Sequence, residues 1–108
     1  MAKIEQVSKF LPLSEATYFI MLACITPMHG YGVMQKVEEI SKGAVTIGPG
    51  TLYGAFSTLE KEGLLEMIRE VGRRKEYQLT PFGKDVFRAQ LTRLKLMVSL
   101  GDVGLKDE

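Results

Sequence analysis

The stretch that most constrains this chain is Gly48–Leu65, where Gly48-Pro49-Gly50 punctuates the sequence and one short amphipathic pattern follows. Thr51, a residue type suited to helix capping, is the expected helix start. Leu52, Ala55, Phe56 and Leu59 then recur at i, i+3, i+4 and i+7, which makes a single narrow apolar stripe. The opposite face carries Tyr53, Gly54, Ser57, Thr58 and Lys61, small, hydroxyl-bearing or basic, with no acid before Glu60, and Gly63 closes the helix. A helix docked by a thin stripe and showing a slim polar face meets the steric requirement for entering a DNA major groove. An ordinary surface helix of a small domain would carry the same stripe, so the flanking segments decide between the two.

Upstream, Ser14 is placed to cap a helix whose run Thr17–Ile25 is apolar almost all round, which predicts a central, buried helix closed by Pro27. Cys24 lies in that run and reads as a small core residue. His29-Gly30-Tyr31-Gly32 leads into a helix over Tyr31–Ser41 that buries Val33, Met34, Val37 and Ile40 and exposes Gln35, Lys36, Glu38 and Glu39. With no Cys, Asp or Glu at ligand spacing, His29 reads as a hydrogen-bonded structural histidine. Ala44-Val45-Thr46-Ile47 is β-prone and predicts one small strand. A helix pair ahead of the Gly48–Leu65 helix predicts a helix-turn-helix.

Downstream, Leu64–Val71 and Lys75–Leu79 are strand-like around the turn Gly72-Arg73-Arg74, and a β-hairpin in this place is a wing. Thr80 as N-cap and Pro81 at the first helical position open the last helix. Its apolar positions Val86, Phe87, Leu91, Leu94, Met97 and Val98 keep helical spacing to about Leu100. That stripe outruns the rest of the unit and predicts a second copy of the same helix as its cover, with Phe87, Leu91, Leu94 and Val98 as dimerisation contacts. The lead segment, with Ile4, Val7, Phe10 and Leu11, is too short to be a stable helix alone; it is expected to pack on something, with Phe10 joining the dimer contacts.

The predicted architecture is therefore α+β, mainly α: a helical arm over 1–12, a winged helix-turn-helix with a two-stranded hairpin over 13–80, a dimerisation helix over 81–100, and a flexible tail over 101–108 marked by Gly101 and Gly104.

At 108 residues, 45% hydrophobic and 25% charged, the chain fits one small globular domain. Its net charge of +1 conceals an uneven distribution. Residues 1–68 hold five basic and seven acidic side chains, whereas residues 69–95 hold eight basic against three acidic. A basic segment set in an acidic chain predicts a local anionic partner. Arginines on a hairpin tip can neutralise phosphates or enter a narrow minor groove. No apolar run reaches membrane-spanning length and no leader is evident, which predicts a cytoplasmic protein without membrane contact. One cysteine permits no internal disulfide, and neither a phosphate-binding loop, a zinc-helix motif nor a nucleophile elbow occurs. No catalytic residue, metal ligand or cofactor is expected.

The blocks LSEATYFIMLA at 13–23, MHGYGVMQKVE at 28–38, GPGTLYGAFSTLEKEGLL at 48–65 and RRKEYQLTPFG at 73–83 resemble the PadR family of bacterial transcriptional regulators across about residues 10–90. The resemblance implies a winged-helix DNA-binding domain, a homodimer formed largely through the C-terminal helix, and repression released by a small molecule, with a small aromatic effector as candidate partner. By position it sets Tyr31, Thr51, Tyr53, Ser57 and Lys61 toward DNA and Arg73, Arg74 and Lys75 in the wing; Lys36, on the exposed face of the preceding helix, joins the DNA-facing set. The chain is similar to the short branch of the family, with one C-terminal helix. It has no Trp, so an effector would meet Phe10, Tyr18, Phe87 or methionines. A winged-helix module that binds protein and not DNA is the alternative, supported by Glu60, Glu62 and Glu66 beside the reading helix.

Overall fold

A computed structural model of the chain describes residues 3–107; Met1 and Ala2 of the predicted arm and Glu108 of the predicted tail lie outside the described residues. In chain order the elements are α1 (Ile4–Ser8), α2 (Glu15–Ala23), β1 (Met28–His29), α3 (Gly30–Ile40), α4 (Pro49–Lys61), β2 (Leu65–Val71), β3 (Arg74–Leu79) and α5 (Pro81–Lys106).

Local chemistry sets most boundaries. Ser14 Oγ accepts the Thr17 N–H at 3.1 Å and opens α2. Thr80 Oγ1 accepts the Gly83 N–H at 2.9 Å with Pro81 at the start of α5, where its missing N–H costs nothing. Gly63 ends α4 in the left-handed region at φ 79°, and the Leu64 N–H reaches back to the Leu59 carbonyl at 2.9 Å. Gly72, at φ 62°, turns the hairpin.

The core collects one face from each helix: Ile20 and Met21 of α2, Val33 and Val37 of α3, Leu52 and Phe56 of α4, and Val86 and Phe87 of α5, all buried. Tyr18 stacks on Phe87 with ring centroids 4.9 Å apart, and Phe10 meets Phe82 edge-on at 5.7 Å. The single buried polar side chain among the described residues, Gln90, accepts the Leu13 N–H at 2.9 Å and ties the entrance of α2 to α5.

Four expectations are corrected here. The reading helix begins at Pro49 with Gly48 as its N-cap, so Thr51 lies inside the first turn and caps nothing; proline with a fixed φ is itself the start signal. Residues 44–47 form no strand. Val45 instead exchanges hydrogen bonds with Ser41 Oγ, which takes up the backbone groups a strand would offer to a neighbour. The predicted β2–β3 hairpin is present but is not the whole sheet: β1 joins it, giving a three-stranded antiparallel sheet in the order β1-β3-β2, with Met28 opposite Tyr77 and His29 opposite Glu76. Finally, α5 does not stop near Leu100 but runs for 26 residues to Lys106, about 39 Å. Gly101 and Gly104 each cost a helix about 1 kcal/mol, and the helix continues through them.

Candidate nucleic-acid interface

The anchoring stripe of α4 behaves as its spacing predicts. Leu52, Phe56 and Leu59 are buried and Ala55 is half-buried, while Tyr53, Gly54, Ser57, Thr58 and Lys61 are exposed. Nothing stands within 4 Å of where a Cβ would sit on Gly50 or Gly54, so this side of the helix is open to close approach.

On the adjoining side, α4 faces the wing across a cleft of about 540 Å³. Tyr53, Ser57 and Glu60 line it from α4, Arg73, Arg74, Lys75 and Tyr77 from the wing, and His29, Gly30 and Tyr31 from the β1–α3 junction. The base is aromatic: Phe56 lies 4.6 Å from Tyr77, ring centre to ring centre, and 6.2 Å from Tyr53. Because Phe56 belongs to the core and Tyr77 to the middle strand, this contact fixes the wing against the helix. Gly30 completes the fit, since a Cβ there would lie 2.7 Å from the Tyr53 hydroxyl. Burial, reinforced by Glu60 and Glu70, pushes the Tyr77 hydroxyl above its ordinary value and keeps it a neutral donor.

The charges sort by strand face. Arg69 pairs with Glu76 directly across the strands at 3.2 Å, just after a register shift between Met67 and Arg69. Its charge is thereby spent within the sheet. Among the described residues Arg73, Arg74 and Lys75 form no ion pair, and all three are exposed. Alternation along β3 directs Lys75 and Tyr77 toward the cleft and Glu76 away from it.

Of the nine residues placed toward DNA by the sequence, the cleft thus gathers Tyr31, Tyr53, Ser57, Arg73, Arg74 and Lys75. Thr51 and Lys61 lie on exposed parts of α4 outside it, and Lys36 is half-buried, near enough for its charge to act on the Cys24 thiol. Among the positions placed at a dimer contact, Phe87 and Phe10 are engaged in the chain's own core, Leu91 and Leu94 are half-buried, and Val98 is 64% exposed. His29, Phe56 and Tyr77 are cleft residues that periodicity alone did not single out. His29 Nδ1 accepts the Gly32 N–H at 3.1 Å and caps α3, the hydrogen-bonded role that its isolation from other ligating residues predicted.

Residues 20–89 match the transcriptional regulator PadR-like family. An uncharacterized 37.1 kDa protein in a transposon of Streptomyces fradiae is 36% identical over 64 residues, covering 59% of this chain and 18% of that protein. The transcriptional regulator YqjI of Escherichia coli is 31% identical over 55 residues, covering 51% of this chain and 27% of YqjI. The chain therefore corresponds to a minor part of these longer relatives. Among solved structures, a transcriptional regulator from Clostridium thermocellum superposes with a TM-score of 0.69 at 21% identity, covering 91% of this chain and 95% of that one. A PadR-like transcription factor from Bacteroides fragilis superposes with a TM-score of 0.63 at 24% identity, covering 82% and 88%. At these identities the superpositions show a shared fold, and the family match covers most of the helical core and the whole wing. The chain belongs to the transcriptional regulator PadR-like family.

Proposed function

We propose that this chain is a cytoplasmic DNA-binding repressor acting as a homodimer. The observation that carries the reading is the cleft: Tyr53 and Ser57 of the slim helix α4 on one side, and on the other three exposed cations that form no ion pair among the described residues. In this reading α4 enters the major groove with Thr51, Ser57 and Lys61 toward base edges and phosphates, while Arg73, Arg74 and Lys75 neutralise the flanking backbone.

Support for the dimer comes from α5. Leu91, Leu94, Val98 and Leu105 follow heptad spacing along one side beyond the core residue Phe87, and the outer members Val98 and Leu105 are 64% and 72% exposed. Pairing two copies through this seam presents two reading helices to half-sites roughly 34 Å apart. Release by a small aromatic effector completes the reading, with half-buried Tyr18, stacked on Phe87, as the aromatic surface to receive it.

The test is duplex binding by fluorescence anisotropy across 50–200 mM salt, for the native chain and for Arg73→Ala plus Arg74→Ala. Each lost phosphate contact should lower the slope of log affinity against log salt by about 0.9, so the double variant should lose about 1.8. An unchanged slope removes the wing from the grip. No binding at micromolar protein and low salt overturns DNA binding and leaves the protein-interaction reading.

A further inference from the structure

The stripe that α5 offers to a second copy is interrupted at one place. Outward from the core, Leu91, Leu94, Val98, Gly101 and Leu105 follow one another in heptad steps along the same side of the helix. Gly101 thus sits in the seam without a side chain, and nothing stands within 4 Å of where its Cβ would be. At the inner end the chain closes the stripe itself: Phe87 is buried, and Tyr18 of α2 stacks on it at 4.9 Å.

These two features bear differently on the two ways of pairing α5 with its copy. In a parallel pair, Gly101 faces the partner's Gly101 and leaves a gap two side chains wide, while both domain bodies crowd the same end. In an antiparallel pair the levels interleave: Gly101 faces the partner's Leu91, Leu94 faces the partner's Val98, and Leu105 ends beside the partner's Phe87. Large then meets small, and the bodies stand at opposite ends. Charge on the flank agrees. Arg88, Lys95 and Asp102 recur at steps of seven beside the seam. Reversal sets Arg88 near the partner's Asp102 at both ends, at the cost of one Lys95 meeting the partner's Lys95 between them. Across that flank a parallel pair offers the partner's Gly83, Gln90 and Met97, none of them charged. Arg88 reaches Asp85 one turn back at 3.3 Å, yet its side chain stays 68% exposed, open to a second carboxylate.

Resting on the homodimer reading, we propose that α5 pairs with the α5 of a second copy lying antiparallel to it, in the register that seats the partner's Leu91 over Gly101. Gly101 is then the position that selects the orientation and register of the dimer, and with them the separation of the two reading helices.

The first measurement is the distance between spin labels on Lys106→Cys, at the end of α5, by pulsed electron resonance; Cys24 is buried and stays in place. In this register the two labelled positions are about 20 residues of helix apart, or about 30 Å, whereas a parallel pair holds them at about the 10 Å of adjacent helix axes. The second is dimer dissociation by analytical ultracentrifugation. Gly101→Leu sets a second large side chain against the partner's Leu91 and should weaken the dimer about tenfold, and adding Leu91→Ala should restore it. In a parallel pair the same leucine fills the gap and tightens the dimer. A short Lys106 separation overturns the antiparallel register and leaves the homodimer standing. So does a dimer that Gly101→Leu leaves unchanged or tightens, or that Leu91→Ala fails to restore. A native chain that stays monomeric at every concentration overturns the homodimer reading itself.

Discussion

Replacing Gly83 with alanine is the change whose cost can be worked most closely from the structure. Gly83 is the third residue of α5, and a Cβ there would overlap the backbone carbonyl of Leu64, with the Leu64 carbonyl carbon 3.0 Å and Cα 3.3 Å away. An ordinary carbon–oxygen contact is about 3.3 Å, so the α5 start and the α4–β2 connection must part by about 1 Å. Three hydrogen bonds cross or close that junction: Thr80 Oγ1–H to the Gly63 carbonyl at 2.6 Å, Thr80 N–H to the Leu64 carbonyl at 3.1 Å, and Gly83 N–H to Thr80 Oγ1 at 2.9 Å. Overpacking of this kind costs about 1–3 kcal/mol, and a disturbed cap about 1 kcal/mol more. The better helix propensity of alanine offsets at most about 1 kcal/mol. A net loss of about 1–3 kcal/mol, near 2 at its middle, should lower Tm by roughly 10 °C in a domain this size, read by circular dichroism at matched protein concentration. Gly30→Ala is the control. Its Cβ would meet the far end of the Tyr53 side chain at 2.7 Å, and a ring can swing where a backbone cannot, so its Tm should fall by a few degrees at most. If Gly83→Ala melts within about 2 °C of the native chain, or if Gly30→Ala is the more damaging, the reasoning is refuted.

Two further outcomes follow from the same structure. Burial, slightly opposed by Lys36, pushes the Cys24 thiol up to about 12, so it should resist an aromatic disulfide reagent at pH 8 and react within the mixing time once guanidinium unfolds the chain. Because the folded value is raised, this thiol favours the folded state fully below pH 9 and progressively less between pH 9 and pH 12; prompt labelling of the native chain at pH 8 contradicts the burial. Glu60→Gln removes the one acid facing the cleft cations and should tighten duplex binding by about two- to fivefold at low salt, the range of a single exposed charge interaction; weaker binding by anisotropy would show that Glu60 is itself a DNA contact.

What the sequence disclosed was chemistry acting over a few residues. Ser14, Thr80-Pro81 and Gly63 each carry their cap within one helical turn, and the α4 stripe is fixed by spacing alone. Pro49 is equally legible, and its fixed φ makes it a stronger start signal than Thr51. The strand β1 could not be read, because two residues have no period; it exists because β3 offers an open edge next to it in space. The same holds for the cleft. Arg73, Arg74 and Lys75 announce themselves as a run of charge, whereas His29, Phe56 and Tyr77 come together only when α4, β1 and β3 converge. At α5, the periodic stripe was plain, yet the division between Phe87 in the chain's own core and Val98 in solvent depends on where the body of the domain ends.

The central claim is that α4 and the wing grip DNA as one rigid unit, presented twice by a dimer. Selecting bound duplexes from a random pool tests it most directly. The account predicts enrichment of a palindromic motif whose half-sites are separated by about one helical turn, 10–10.5 base pairs. Recovery of no enriched motif, or of a single unpaired half-site, would contradict it.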